Sequence, residues 1–124
     1  MAKKVLVVED DETIAMLIKD VVAMTGAEAL VAGTAREAEA LLEENSMALA
    51  IVDLSLPDST GLELCQEIDQ KYPALTQRCI LTSGYNAVGE LASYLEASGN
   101  RFIQKPFPIM QLRDIVAGML ASDS

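Results

Sequence analysis

Short apolar runs alternate along the chain with stretches whose apolar positions recur every three or four residues. Lys4–Val8 is a β-branched run and reads as a first strand. Ile14, Leu17, Ile18, Val21 and Val22 follow at helical spacing and predict an amphipathic helix over residues 12–24, ended by Gly26. Ala29–Ala32 reads as a weaker second strand. Thr34, with Glu37 three residues later, is a capping-box pattern for a helix running to Glu44, with Ala35, Ala38, Leu41 and Leu42 inward. Ala48–Val52 is a third strand, the loop Pro57-Asp58-Ser59-Thr60-Gly61 follows, and a helix covers residues 62–70 until Pro73 closes the region. Cys79–Leu81 is a fourth strand leading into Thr82-Ser83-Gly84. Residues 87–97 read as a helix that has to absorb Gly89 in its interior. Arg101–Ile103 is a short fifth strand that ends near Lys105. Pro106 and Pro108 break the chain, and Ile109–Leu120 forms a last helix with Ile109, Leu112, Ile115, Val116 and Met119 on one face.

Strands joined by helices are parallel, and a parallel sheet is covered on both faces. This explains why the strands are continuous apolar runs and do not alternate with polar residues. The class expected is α/β, a sheet of parallel strands with helices on both sides. A chain of 124 residues is about one domain long, with no internal repeat, low-complexity tract or linker, so a single domain over 1–124 is expected.

Composition narrows the function. Nineteen acidic against nine basic residues give a formal charge of −10, which opposes nucleic-acid binding and attachment to anionic lipid. No apolar segment reaches the length of a membrane span, and the start of the chain lacks a secretory signal pattern. A cytoplasmic protein is therefore expected, with Cys65 and Cys79 as reduced, buried and inert thiols. The sequence has no histidine, which excludes every histidine base and histidine metal ligand.

The strand ends carry the candidate chemistry. Glu9-Asp10-Asp11-Glu12 follows the first strand, Asp53 the third, Thr82-Ser83 the fourth and Lys105 the fifth. In a parallel sheet these ends share one edge, and ligands of open α/β sheets bind there. Clustered carboxylates without His or Cys suit a hard, oxygen-preferring cation such as Mg²⁺. A lysine and a threonine hydroxyl beside them suit a phosphoryl group. A central carboxylate can itself accept that group as an acyl phosphate. A buried strand that ends on a charge, as "AIVDLSLPDSTG" does at Asp53, otherwise carries an unexplained desolvation cost.

The segments "VLVVEDDE", "AIVDLSLPDSTGLEL", "CILTSGY" and "FIQKPF" resemble the receiver domain of two-component response regulators, in order and over residues 4 to about 120. The resemblance implies a flavodoxin-like (βα)5 fold, a doubly wound five-stranded parallel sheet of order 2-1-3-4-5. It implies that Asp53 is phosphorylated by a histidine kinase. Asp10 would bind Mg²⁺ directly (Mn²⁺ can substitute), Glu9 would help through a water, and the backbone carbonyl of Ser55 would complete the protein ligands. Thr82 and Lys105 would contact the phosphoryl oxygens. Thr82 would move inward with a change of Phe102 rotamer, and Lys105–Pro106 would be a cis peptide. The partners implied are a sensor histidine kinase or histidine phosphotransfer protein and a downstream protein target, with the receiver a monomer or weak dimer.

Phe102 departs from the tyrosine of some relatives, and it reads equally well as core. Ser55 and Gly84 are small, which implies a phosphoryl lifetime at the short end. Two rivals remain. An aspartate-nucleophile phosphohydrolase would place a second acid two residues after the nucleophile, where Ser55 stands. A flavodoxin-like cofactor module would carry a Ser/Thr/Gly-rich phosphate loop after the first strand, where carboxylates stand. Among the remaining residues, Asp11 and Glu12 read as a solvated helix start, Asp58 as a turn residue, and Met16, Met24, Met110 and Met119 as core fillers.

Overall fold

The structure is a computed structural model and describes residues 2–122. The order of elements is β1 (Lys4–Val8), α1 (Glu12–Met24), β2 (Glu28–Ala32), α2 (Ala35–Glu44), β3 (Leu49–Asp53), α3 (Gly61–Lys71), a 3₁₀ turn (Pro73–Leu75), β4 (Cys79–Ser83), α4 (Gly89–Ser98), β5 (Arg101–Gln104) and α5 (Ile109–Ala121). All neighbouring strands are parallel and the sheet order is β2-β1-β3-β4-β5. The chain leaves β1 toward β2 on one side and returns to β3 on the other. The strand order therefore reverses between β1 and β3, and the crevice of a doubly wound sheet opens at that point.

Alternate strand residues feed two cores. Leu6, Val8, Ala50, Val52 and Leu81 pack with α2, α3 and the inner side of α4. Val5, Val7, Leu49, Ile51 and Ile80 pack with α1 and α5. β3 and β4 are buried at every residue, which matches their unbroken apolar sequence.

Several local readings change. Met16, Met24 and Met110 are 66%, 56% and 49% exposed, so they are not core fillers; only Met119 of the four is buried. Met16 lies between Ala15 and Ile18, off the stripe that α1 buries. Ile109, expected on the inner face of α5, is 40% exposed; it is the first residue of the helix, and the buried stripe begins at Leu112. Gly89 is not an interior residue. It is the first residue of α4 and has φ +59°, a conformation that costs glycine nothing. Cys65 and Cys79 are buried free thiols.

Candidate functional site

The C-terminal ends of β1, β3, β4 and β5 bring Glu9, Asp10, Asp53, Thr82 and Lys105 to one edge. Asp53 is the last residue of β3 and pairs in register with Thr82 of β4. Leu54 N donates to the Thr82 carbonyl at 2.9 Å and Lys105 N donates to the Ser83 carbonyl at 2.7 Å, so the backbone locks the three strand ends together. Glu9 (3% exposed), Asp53 (6%) and Thr82 (1%) are buried polar residues, whereas Asp10 faces solvent.

The carboxylates are close. One oxygen from each of Glu9, Asp10 and Asp53 lies within 4.8 Å of the others. Lys105 Nζ donates to Glu9 Oε1 at 2.6 Å and sits 3.4 Å from Asp53 Oδ1. Burial pushes the Glu9 carboxyl above its usual range, and the hydrogen bonds from Lys105 and from the amide of Asp11 pull only partly against it. For Lys105, burial acts to lower the ammonium pKa, but the Glu9 hydrogen bond and the charges of Glu9 and Asp53 outweigh it and the pKa rises. The lysine thus stays cationic between two acids. Two backbone amides serve these carboxylates: that of Asp11 donates to Glu9 Oε2 at 3.2 Å, and that of Ser55 donates to Asp53 Oδ1 at 3.3 Å.

Thr82 Oγ1 stands apart from these paired groups. It is a buried side-chain oxygen with no hydrogen-bond partner, the sole such atom among the described residues. A buried hydroxyl without a partner carries a cost of about 1–3 kcal/mol. Such an atom, on the residue paired with Asp53 at an edge that also carries Lys105, marks a place where an oxygen-rich ligand can be received.

Local sequence explains why the segments take these shapes. Gly61 opens α3 where a Cβ would overlap the Asp53 carbonyl oxygen and come within 2.7 Å of Leu54 Cα, so only glycine closes the β3–α3 loop. Asp11 caps α1 by accepting from Ile14 N at 3.1 Å, which sets it apart from Glu9 and Asp10. The Lys105–Pro106 bond is cis. Phe102 is half-buried against the core beneath α4. Ser55 and Gly84 are exposed and small. A cleft of about 630 Å³ lies elsewhere, lined by Arg78, Asn100, Arg101 and Ser122 among others, and touches none of the clustered acids.

One residue was missed in the sequence. Asp58 is more than a turn residue: its carboxylate accepts from Ala35 N at 2.9 Å and Arg36 N at 3.1 Å. Those two hydrogen bonds hold its pKa below the usual carboxylate range. No local pattern signals a cap supplied from 23 residues away.

The chain belongs to the response regulator receiver domain family, whose sequence model matches residues 5–117. It is 31% identical over 117 residues to the response regulator protein FleR of Pseudomonas aeruginosa, covering 94% of this chain and 24% of that protein. It is 27% identical to the aerobic respiration control sensor protein ArcB of Escherichia coli, covering 93% of this chain and 15% of ArcB. The chain thus spans about a quarter or less of these two relatives. Among solved structures it is similar to a CheY-like receiver domain protein from Methanospirillum hungatei JF-1, with TM-score 0.88, 28% identity and coverage of 99% and 97% of the two chains. It is also similar to the receiver domain of a signal transduction histidine kinase from Syntrophus aciditrophicus, with TM-score 0.84, 28% identity and coverage of 97% and 91%. The family is a signalling module and not a conventional enzyme.

Proposed function

We propose that the chain is a phosphorylation-driven switch in which Asp53 takes a phosphoryl group from a phosphohistidine on a sensor kinase or histidine phosphotransfer protein. The observation that carries this reading is the buried, unpartnered Thr82 hydroxyl on the residue paired across the sheet with Asp53, beside the cluster of acids and Lys105. In the transfer an Asp53 carboxylate oxygen bonds to phosphorus, the N–P bond breaks, and its electron pair returns to the donor imidazole. Lys105, 3.4 Å from Asp53, neutralises charge on the phosphoryl oxygens, and Thr82 donates its idle O–H to one of them.

The donor set fits a divalent hard cation, because the cluster is all oxygen and three carboxylates converge within 4.8 Å. Asp10, Asp53 and the Ser55 carbonyl would hold Mg²⁺ or Mn²⁺, with Glu9 assisting through a water. When bound, the cation would offset negative charge on the phosphoryl group and its acceptor. Slow autodephosphorylation by water follows transfer. The small Ser55 and Gly84 leave that water room, which places the lifetime at the short end.

The output is a change of the α4–β5–α5 surface, started when Thr82 and the half-buried Phe102 rearrange, and read by a downstream protein. The charge of −10 supports a protein target over nucleic acid or a membrane surface, and we read the receiver as a monomer or weak dimer. Ser55, standing where a hydrolase would carry its general acid, disfavours a phosphohydrolase. The carboxylates after β1 disfavour a flavodoxin-like cofactor module.

Beryllofluoride, a mimic of an acyl phosphate, tests the reading. With Mg²⁺ it should shift amide resonances of residues 82–84 and of the α4–β5 region in the parent and not in Asp53→Asn. Equal shifts in both proteins would overturn the assignment.

A further inference from the structure

The β3–α3 loop is closed at its base by Gly61 N donating to the Leu54 carbonyl at 2.9 Å and by a bridge between Ser55 and Thr60. Nothing in those contacts fixes its tip. The tip is held by Asp58, which reaches out of the loop to the first two amides of α2, at 2.9 and 3.1 Å. The α2 N-terminus already has its own cap, because Thr34 Oγ1 accepts from Glu37 N at 3.0 Å. Asp58 therefore takes the two first-turn amides that Thr34 leaves over.

The topology gives this link its significance. α2 follows β2, and β2 and β3 flank β1 on opposite sides. A bond from the β3 loop to the start of α2 therefore joins the two loops on either side of the end of β1, where Glu9 and Asp10 stand. The tied loop is the one that runs on from Asp53 and carries Ser55, whose amide contacts the Asp53 carboxylate at 3.3 Å. A loop free at its tip would let these groups drift relative to Glu9 and Asp10. A tied loop holds the oxygen cluster in its three-carboxylate arrangement before any ligand arrives.

We propose that Asp58 is a positioning residue for the phosphoacceptor site: by tying the β3–α3 loop to the start of α2 it sets how tightly the Glu9–Asp10–Asp53 cluster holds a divalent cation. The proposal rests on the reading of that cluster as a cation site. Asp58 itself touches neither cation nor phosphoryl group.

Calorimetric titration with Mg²⁺ tests it on the folded parent, Asp58→Asn, Asp58→Ala and Thr34→Ala, with circular dichroism to verify folding. Asp58→Ala should weaken Mg²⁺ binding about tenfold, the lower end of what loss of a supporting contact does to a metal site. Asp58→Asn keeps one acceptor oxygen for the two amides and should fall between Asp58→Ala and the parent. Thr34→Ala removes the other α2 cap without releasing the loop, so it should lower thermal stability and leave Mg²⁺ affinity unchanged. Equal affinity in the parent and Asp58→Ala would overturn the positioning role alone, as would an equal loss in Thr34→Ala. A parent that binds no Mg²⁺ would remove the cation reading and this proposal with it.

Discussion

Thr82 carries the most local strain on the balance of hydrogen bonds. Its hydroxyl is desolvated, 1% of the residue being exposed, and receives nothing in return. Valine has nearly the same shape and no hydroxyl to desolvate. Thr82→Val is expected to stabilise the resting protein by about 1 kcal/mol in urea denaturation, while weakening its response to beryllofluoride. A destabilised variant would mean that the hydroxyl has a partner in solution and is not held in reserve. At this scale the sequence was informative where a residue's position along a strand defines its neighbours, as for Asp53 and Thr82. It was silent where the partner comes from a distant loop, as for Asp58, whose two amides are 22 and 23 residues back in the chain. The pairing of Lys105 with Glu9, 96 residues apart, was hidden for the same reason, although both had been placed at the right edge.

Among the elements, α4 is held least by apolar burial. None of its residues is fully buried, and Leu91, Tyr94 and Leu95 are only partly covered. Tyr94 supplies what packing does not: its hydroxyl donates to Asp69 Oδ2 of α3 at 2.6 Å and accepts from Asn100 Nδ2 at 2.9 Å. Asn100 Oδ1 in turn accepts from Cys79 N at 3.2 Å, which ties the C-terminal end of α4 to the start of β4. An element with so little buried surface can shift at modest cost, which suits it to a switching surface.

α2 and α3 meet differently. The Glu39 carboxyl lies within hydrogen-bonding reach of Glu67, and this contact, then burial, then the Glu67 charge raise its pKa above the ordinary 4.5. A raised carboxyl pKa contributes stability that is fully present below the ordinary value and is lost as pH rises through the raised one. Carbon-13 titration should show the Glu39 value returning toward 4.5 in Glu67→Gln, together with a flatter stability profile just above that pH. An unchanged Glu39 titration would show that the two side chains do not meet in solution. Element positions were legible because each strand is a short apolar run and each helix a periodic one. The ends were less so: β4 extends to Ser83 and β3 to Asp53, since backbone pairing continues past the last apolar residue.

For the whole molecule, parallel pairing and the reversal of strand order between β1 and β3 gather one residue or more from each of four strand ends into a single site. Alternation of strands and helices was enough to read the α/β class and the shared edge. The order 2-1-3-4-5 came from the family resemblance, because no residue pattern states which strands are neighbours. Exposed methionines escaped the reading because helical periodicity identifies the buried stripe of α1 and α5 better than it identifies what lies beside it. The switch proposed above needs Asp53 as phosphoacceptor and the acidic cluster as the holder of its cation. Intact mass after incubation with acetyl phosphate and Mg²⁺, with Asp53→Asn alongside, tests both parts together. The expected result is a gain of one phosphoryl group in the parent alone, abolished when Mg²⁺ is chelated beforehand. An equal gain in Asp53→Asn, or a gain in the parent that survives chelation, would contradict it.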